Sequence, residues 1–425
     1  MTVVRLVLLV AAVLGAVLRP FRLPAFVTPV VCSVVALAAG ATTLGGVGND
    51  LRPLVDPLAF LLAAIPLAVL LDELGFFHAL AERIGARRGL LAWLWVLAAA
   101  TVAVLNLDAA VVLLTPLYVR LARTADLDAR WLGFQPVILA LLASSFLPVS
   151  NLTNLIAASR TGVGPVAFLE HLGLPGLAAC LVGYACYRAS QGAADRRVEQ
   201  RRPLGEPDGA EGSRPARPSP PASPGRPSPP ASPADERKAL STGAAVVALL
   251  LAGFVAGPSG GIEPWMVAVA ADVLLAARIR RLPLRRIPWQ TALVAAALGV
   301  LAGAAAQGLP LADLFRGTGP LATLRISAAT AAGANVVNNL PALLVSLPFV
   351  VGRRCALWPA LLGVNLGPSL LVTGSLASLL WSESMRHLGE PVHAREFLRM
   401  GLRVGLPATL AALAVLMATA PLFGC

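Results

Sequence analysis

Twelve apolar runs recur along this chain, at 3–18, 24–42, 54–71, 90–105, 135–147, 174–187, 239–256, 265–277, 292–306, 326–351, 356–372 and 402–422. About ten of them approach the roughly 20 residues a helix needs to cross a bilayer. Runs of this length cannot all be internal to a soluble protein. Charged residues make up 13% of the chain and apolar ones 57%, with mean hydropathy +0.76. Soluble domains carry about 25% charged residues, so this chain cannot cover a soluble surface. The expected fold is an all-α polytopic membrane protein with about 10–12 transmembrane helices. The first run follows a single Arg5 and leads straight into Arg19-Pro20-Phe21-Arg22 and a second run. It reads as a retained span rather than a cleaved signal.

The net charge of +12 does not call for nucleic acid. The arginines sit in short loops between apolar runs, which is the bias of cytoplasmic loops in membrane proteins. Arg278, Arg280, Arg281, Arg285 and Arg286 crowd one loop, and Arg196, Arg197, Arg201 and Arg202 open a polar stretch. Both are expected in the cytoplasm, and the Arg-free loop 257–263 outside. The polar stretch divides the chain into an N-terminal membrane repeat (1–189), a disordered cytoplasmic linker (190–238) and a C-terminal membrane repeat (239–425). Within it, Arg-Pro-Ser-Pro-Pro-Ala-Ser-Pro occurs twice, at 217–224 and 226–233. Such a segment has too little apolar area to fold. A linker is the expected role, ahead of a polyproline docking site.

Four segments interrupt the apolar runs. They are Asn106-Leu107-Asp108-Ala109 with Thr115-Pro116, Pro148-Val149-Ser150-Asn151-Leu152-Thr153-Asn154, Asn335-Val336-Val337-Asn338-Asn339-Leu340-Pro341, and Asn365-Leu366-Gly367-Pro368 with Thr373-Gly374-Ser375. Each joins amide or hydroxyl side chains to Pro or Gly. Irregular backbone survives at membrane depth only where it lines protein or a cavity. A carboxyl such as Asp108 costs about 3 kcal/mol there and marks an ion or substrate pathway. One such segment alone would be read as polar glue between helices. Four of them, paired in corresponding places of two halves, point to a transport site at the midplane between repeats. The candidate substrate- or ion-binding residues are Asn106, Asp108, Ser150, Asn151, Thr153, Asn154, Asn338, Asn339, Thr373 and Ser375. Asp108, Asp72 and Glu73 are the candidates for proton coupling, with an interfacial helix end as the other reading of the Asp72-Glu73 pair. Asp272 is expected to be paired near the interface.

No metal site is expected, because His78, His171, His387 and His393 lack ligand spacing. No cofactor is expected. Cys32, Cys180, Cys186, Cys355 and Cys425 form no Cys-x-x-Cys pair and read as small core residues rather than disulfides. An enzyme is disfavoured, since no His-Glu-x-x-His occurs and no acidic pair with metal-ligand spacing lies in a span. A passive channel fits paired breaks less well than alternating access.

These segments resemble the arsenite/antimonite efflux permeases (ArsB type) of the ion transporter superfamily. The likeness rests on residues 69–77 (Val-Leu-Leu-Asp-Glu-Leu-Gly-Phe-Phe), 106–116, 150–154, 338–341 and, most specifically, 366–381 (Leu-Gly-Pro-Ser-Leu-Leu-Val-Thr-Gly-Ser-Leu-Ala-Ser-Leu-Leu-Trp). The resemblance implies a scaffold and a transport region with two re-entrant hairpins in inverted repeats. It implies a plasma-membrane protein that exports a small inorganic solute, arsenite or antimonite, against a coupling ion, with the proton gradient as driving force. It leaves room for a cytoplasmic ATPase partner and for a homodimer. A sodium/proton antiporter or a dicarboxylate-type anion symporter is the alternative within the same superfamily. The chain departs from the family at Ala109, where a Gly is common, and at Asn365, where an Asp is common.

Overall fold

The computed structural model describes residues 1–19, 23–85, 89–191, 233–281, 283–307 and 309–425. Most of the expected linker, with both copies of its repeat, lies outside these residues except for Pro233. No strand occurs among the described residues. The chain is an all-α, multi-pass membrane protein.

Helices α1 (Thr2–Leu18), α2 (Val27–Ala38), α3 (Leu44–Leu51) and α4 (Val55–Glu73) open the chain, followed by the short α5 (Phe76–Gly85). Then come α6 (Leu90–Leu105), α7 (Leu107–Thr124), α8 (Ala129–Leu142), α9 (Leu152–Thr161) and the long α10 (Pro165–Ala189). After the linker region the helical chain continues. There are α11 (Pro233–Ala256), α12 (Pro264–Ile279) and α13 (Trp289–Ala306), then α14 (Pro320–Val337), α15 (Asn339–Val350), α16 (Arg354–Leu366), α17 (Leu376–His387) and α18 (Ala394–Phe423). Helix α11 begins inside the stretch expected to be linker. Asp235 and Glu236 in its first turn complement the positive end of the helix.

Helices α6 and α7 pack on each other, as do α14 and α15, so each pair is a hairpin turning at one Asn. By contrast, α8 and α9 do not stack side by side, nor do α16 and α17; each pair is one span broken in the middle. The breaks follow from local chemistry. Pro148 disfavours helical backbone at the residue before it, and Leu147 is extended (φ −135°, ψ 157°). In the second half Leu371 and Ser375 are extended on either side of the Gly374 turn. The apolar run at 326–351 is therefore two helices rather than one. Helices α7, α9 and α17 lie outside the apolar runs, because Thr, Arg, Glu and His dilute their hydropathy.

The third span of each half packs with the opposite half. Helix α4 lies against α12, and α13 lies against α1 and α2. Phe60 of α4 meets Phe254 of α11 edge to face at 5.7 Å. This exchanged set forms one region, and the hairpins and broken spans form another, with α10 packed along α18. Both α10 and α18 carry a π-helical turn, at Leu169–Gly173 and Gly401–Gly405, each followed by Leu-Pro. Helices α14 and α16 approach closely because of glycine. A Cβ on Gly363 would stand 2.1 Å from Thr330 Oγ1 and 2.4 Å from the Ser327 carbonyl.

Placing the Arg-rich turn at 278–286 in the cytoplasm fixes the rest by alternation. The α10 end, the α7–α8 turn with Arg123 and Arg130, and the α17–α18 turn share that side. The loop 257–263, the turn at 351–353 and Cys425 fall on the opposite side. Cys355 and Cys425 are joined as a disulfide across a sequence separation of 70. This corrects the reading of all five cysteines as core residues. The partners come together only when α18 carries the chain back beside the start of α16, which no local spacing reveals. With the Arg-rich turn in the cytoplasm, the bond falls on the opposite face, where disulfides persist. Removing it by Cys355→Ser is expected to lower stability by about 2–4 kcal/mol. A mobility change on non-reducing gels and a lower melting temperature in detergent would register it.

Candidate functional site

Four helices begin at the four sequence breaks, and each is capped by a residue of its motif. Asn106 Oδ1 accepts from the Asp108 amide at 2.9 Å to start α7. Asn151 Oδ1 accepts from the Thr153 amide at 3.2 Å to start α9. Asn338 Oδ1 accepts from the Leu340 amide at 3.3 Å to start α15. Ser375 Oγ accepts from the Ser378 amide at 3.1 Å to start α17. Asn and Ser do this well because a short side-chain oxygen reaches the free amides of a first turn. At Asn106 (φ 91°, ψ 151°) and Asn338 (φ 77°, ψ 153°) the backbone takes a form nearly reserved for glycine. Such strain costs about 1–3 kcal/mol and gathers at functional sites.

The four starts converge on one cavity of about 470 Å³. Leu107 and Asp108, Asn151 to Thr153, Asn338 to Leu340, and Leu376 all line it. Helices α1 and α13 close the far wall. Its mouth holds Arg19, Gln290, Glu383 and Arg386, all on the cytoplasmic side of the assignment above. Each helix start presents about half a positive charge, so the cavity floor favours electron-rich oxygen atoms.

Of the ten candidates, Asp108, Asn151, Thr153, Asn338 and Asn339 line the cavity. Asp108 is only 5% exposed, and its Oδ1 has no hydrogen-bond partner among the described residues. The same holds for Nδ2 of the adjacent Asn106. A donor and an acceptor thus sit unpaired beside the cavity, where buried polar groups normally demand partners.

The other candidates shape the backbone. Asn154 Nδ2 donates to the carbonyls of Ser144 (2.7 Å) and Leu147 (3.1 Å). Ser150 Oγ donates to the carbonyl of Leu147 at 2.6 Å. Thr373 contributes its carbonyl, which accepts from Asn338 Nδ2 at 3.1 Å, while Ser375 is a buried cap. Asp72 and Glu73 end α4 away from the cavity lining. Asp272 Oδ1 is buried without a partner among the described residues, contrary to its expected pairing. No group of three or more His, Cys, Asp or Glu able to hold a metal occurs among the described residues.

A residue outside the candidate set ties the two halves together. Asn365 Oδ1 accepts from Asn151 Nδ2 at 3.0 Å and from Thr153 Oγ1 at 2.9 Å. Its Nδ2 donates to Asn154 Oδ1 at 2.7 Å and, more weakly, to Ser145 Oγ at 3.4 Å. The amide of one half is fully used in holding the broken span of the other. Its sequence signal was an amide inside an apolar run, at the head of the fourth motif.

Two hairpins and two broken spans around a polar midplane cavity define a multi-pass membrane transporter. A family model described as citrate transporter matches residues 1–364, and the chain belongs to that family. It is also similar to the arsenical pump membrane protein of Yersinia enterocolitica, 27% identical over 421 residues, covering 91% of this chain and 92% of that one. The arsenical pump membrane protein of Escherichia coli (strain K12) is 26% identical over 428 residues, covering 90% and 91%. These matches agree with the ArsB-type resemblance, and they place the chain in the plasma membrane as a secondary transporter of small solutes.

Proposed function

We propose that the chain exports trivalent arsenic or antimony as the uncharged hydroxide, exchanging it for protons through Asp108. The observation that carries this reading is the donor set of the cavity floor. It offers the amides of Asn151, Asn338 and Asn339, the Thr153 hydroxyl and four helix starts, with no Arg or Lys side chain among them. A trihydroxy solute both donates and accepts hydrogen bonds, and amides and hydroxyls answer both needs. Relatives that match over nine-tenths of their length bear the arsenical pump name, which supports the same substrate. We further propose that residues 1–189 and 239–425 are inverted repeats, so that Asn106 corresponds to Asn338 and the α8–α9 break to the α16–α17 break. The matching helix order and the shared strained Asn conformation support this.

A second reading, symport of a carboxylate anion, is favoured by the four positive helix ends and by the family description. The two separate in everted membrane vesicles. The first expects uptake of arsenite or antimonite driven by an acid interior, unaffected by excess citrate. Uptake of labelled citrate without arsenite would select the second. Asn338→Ala and Asn339→Ala are each expected to raise the apparent substrate constant by roughly 5–10-fold, the worth of about 1–1.5 kcal/mol per hydrogen bond. A fall in protein yield with an unchanged constant would return both residues to a purely structural role.

A further inference from the structure

The transport cavity has a counterpart on the opposite face. A second cavity of about 310 Å³ lies between α4, α11, the start of α12 and α9. Under the repeat correspondence these walls are the mates of those around the mouth of the first cavity: α4 for α13, α11 for α1, the α12 start for the α2 start, and α9 for α17. Both cavities end on the same broken span. The first touches Asn151 to Thr153, and the second touches Leu147 to Val149 and Leu155. Between them stand Ser150 and Asn154, both fully buried.

The two faces differ in closure. On the non-cytoplasmic side α9 packs against α4. There Ser159 Oγ donates to the Pro53 carbonyl and Arg160 Nη2 to the Asn49 carbonyl, each at 3.4 Å. On the cytoplasmic side the corresponding α17 is held off α13, and the wide mouth of the first cavity lies between them. Long hydrogen bonds are weak, which suits a contact that must release.

We propose that the second cavity is the exit vestibule for the transported solute, and that the contact of α9 with the α3–Pro53 segment is its gate, shut in this inward-open state. The assignment rests on the transport reading above and deepens it with a substrate class. Among the described residues, Asp56 and Glu263 are the ionisable ones lining this vestibule. Two carboxylates admit an uncharged or cationic solute and repel a carboxylate anion.

The test uses the full chain with Cys32, Cys180 and Cys186 replaced by Ser and the native disulfide kept. A short bismaleimide is applied to the Asn49→Cys/Arg160→Cys variant and to each single variant. Cross-linking the pair is expected to lower antimonite transport by about tenfold or more relative to the same variant before treatment, as a locked gate should, while treatment leaves each single variant at its own untreated rate. A cross-linked protein that transports at its untreated rate would overturn the gate. A second variant, Ala158→Cys, is expected to react with a membrane-impermeant maleimide from the non-cytoplasmic side only. Reaction from the cytoplasmic side alone would overturn the vestibule. Labelling in that expected sense, with no antimonite moved by any variant, would leave the vestibule standing and remove the proposed substrate.

Discussion

Replacing Asp108 with Asn is expected to stop transport while leaving insertion and folding intact. Asn matches Asp in volume, and the backbone amide of residue 108 keeps its bond to Asn106 Oδ1. The helix start of α7 is therefore preserved. What disappears is the ability of this side chain to take and release a proton. A carboxyl in the bilayer costs about 3 kcal/mol by insertion scales and persists where function requires it. With Oδ1 unpaired at the cavity, its partner is expected to be solute or proton rather than protein. Losing a charge-assisted contact of about 1.5–3 kcal/mol is a fall of roughly 10–100-fold in affinity, and loss of coupling removes uphill transport altogether. The check is solute accumulation in vesicles beside a monodispersity profile in detergent. Accumulation at the unmutated level would take Asp108 out of the mechanism.

Asn365→Ala should cost both stability and transport. It removes the acceptor of Asn151 Nδ2 and Thr153 Oγ1 and the donor to Asn154 Oδ1. Each buried group left unpaired costs about 1–3 kcal/mol, so the loss is on the order of several kcal/mol and should appear as a much lower melting temperature. Transport falls with it, because Asn151 and Thr153 line the cavity through this anchor. Asn365→Asp should be milder. A carboxyl keeps both acceptor bonds, but only its protonated form donates to Asn154 Oδ1. Transport by that variant is therefore expected to rise as pH falls and to weaken as pH climbs. A pH profile identical to the parent would contradict this account of the network.

Much of the fold is legible in the sequence because membrane physics acts locally. Apolar run length marks the spans, and Asn, Ser, Pro and Gly within them mark the breaks. The four helix caps are visible for the same reason, since a cap bonds within three residues of itself. Legibility fails where the partner is distant in the chain. The bonds of Asn365 reach the other half, and the Cys355–Cys425 bridge closes only after α18 has returned. Run-reading also fails at α7, where a buried span carries Asp108, Thr115, Pro116 and Arg120 and falls below an apolar threshold. Thr373 illustrates a further limit. Its place in a polar motif was plain from the residues, but only the fold reveals that its carbonyl, and not its hydroxyl, does the binding.

The cavity is expected to export an uncharged trihydroxy solute against protons. The most direct measurement is antimonite or arsenite uptake into everted vesicles carrying the full chain, with an imposed acid-inside gradient and the Asp108→Asn variant as control. Accumulation is expected to collapse with the gradient and to be absent in the variant. Accumulation of citrate in place of either metalloid, with or without the gradient, would contradict this expectation.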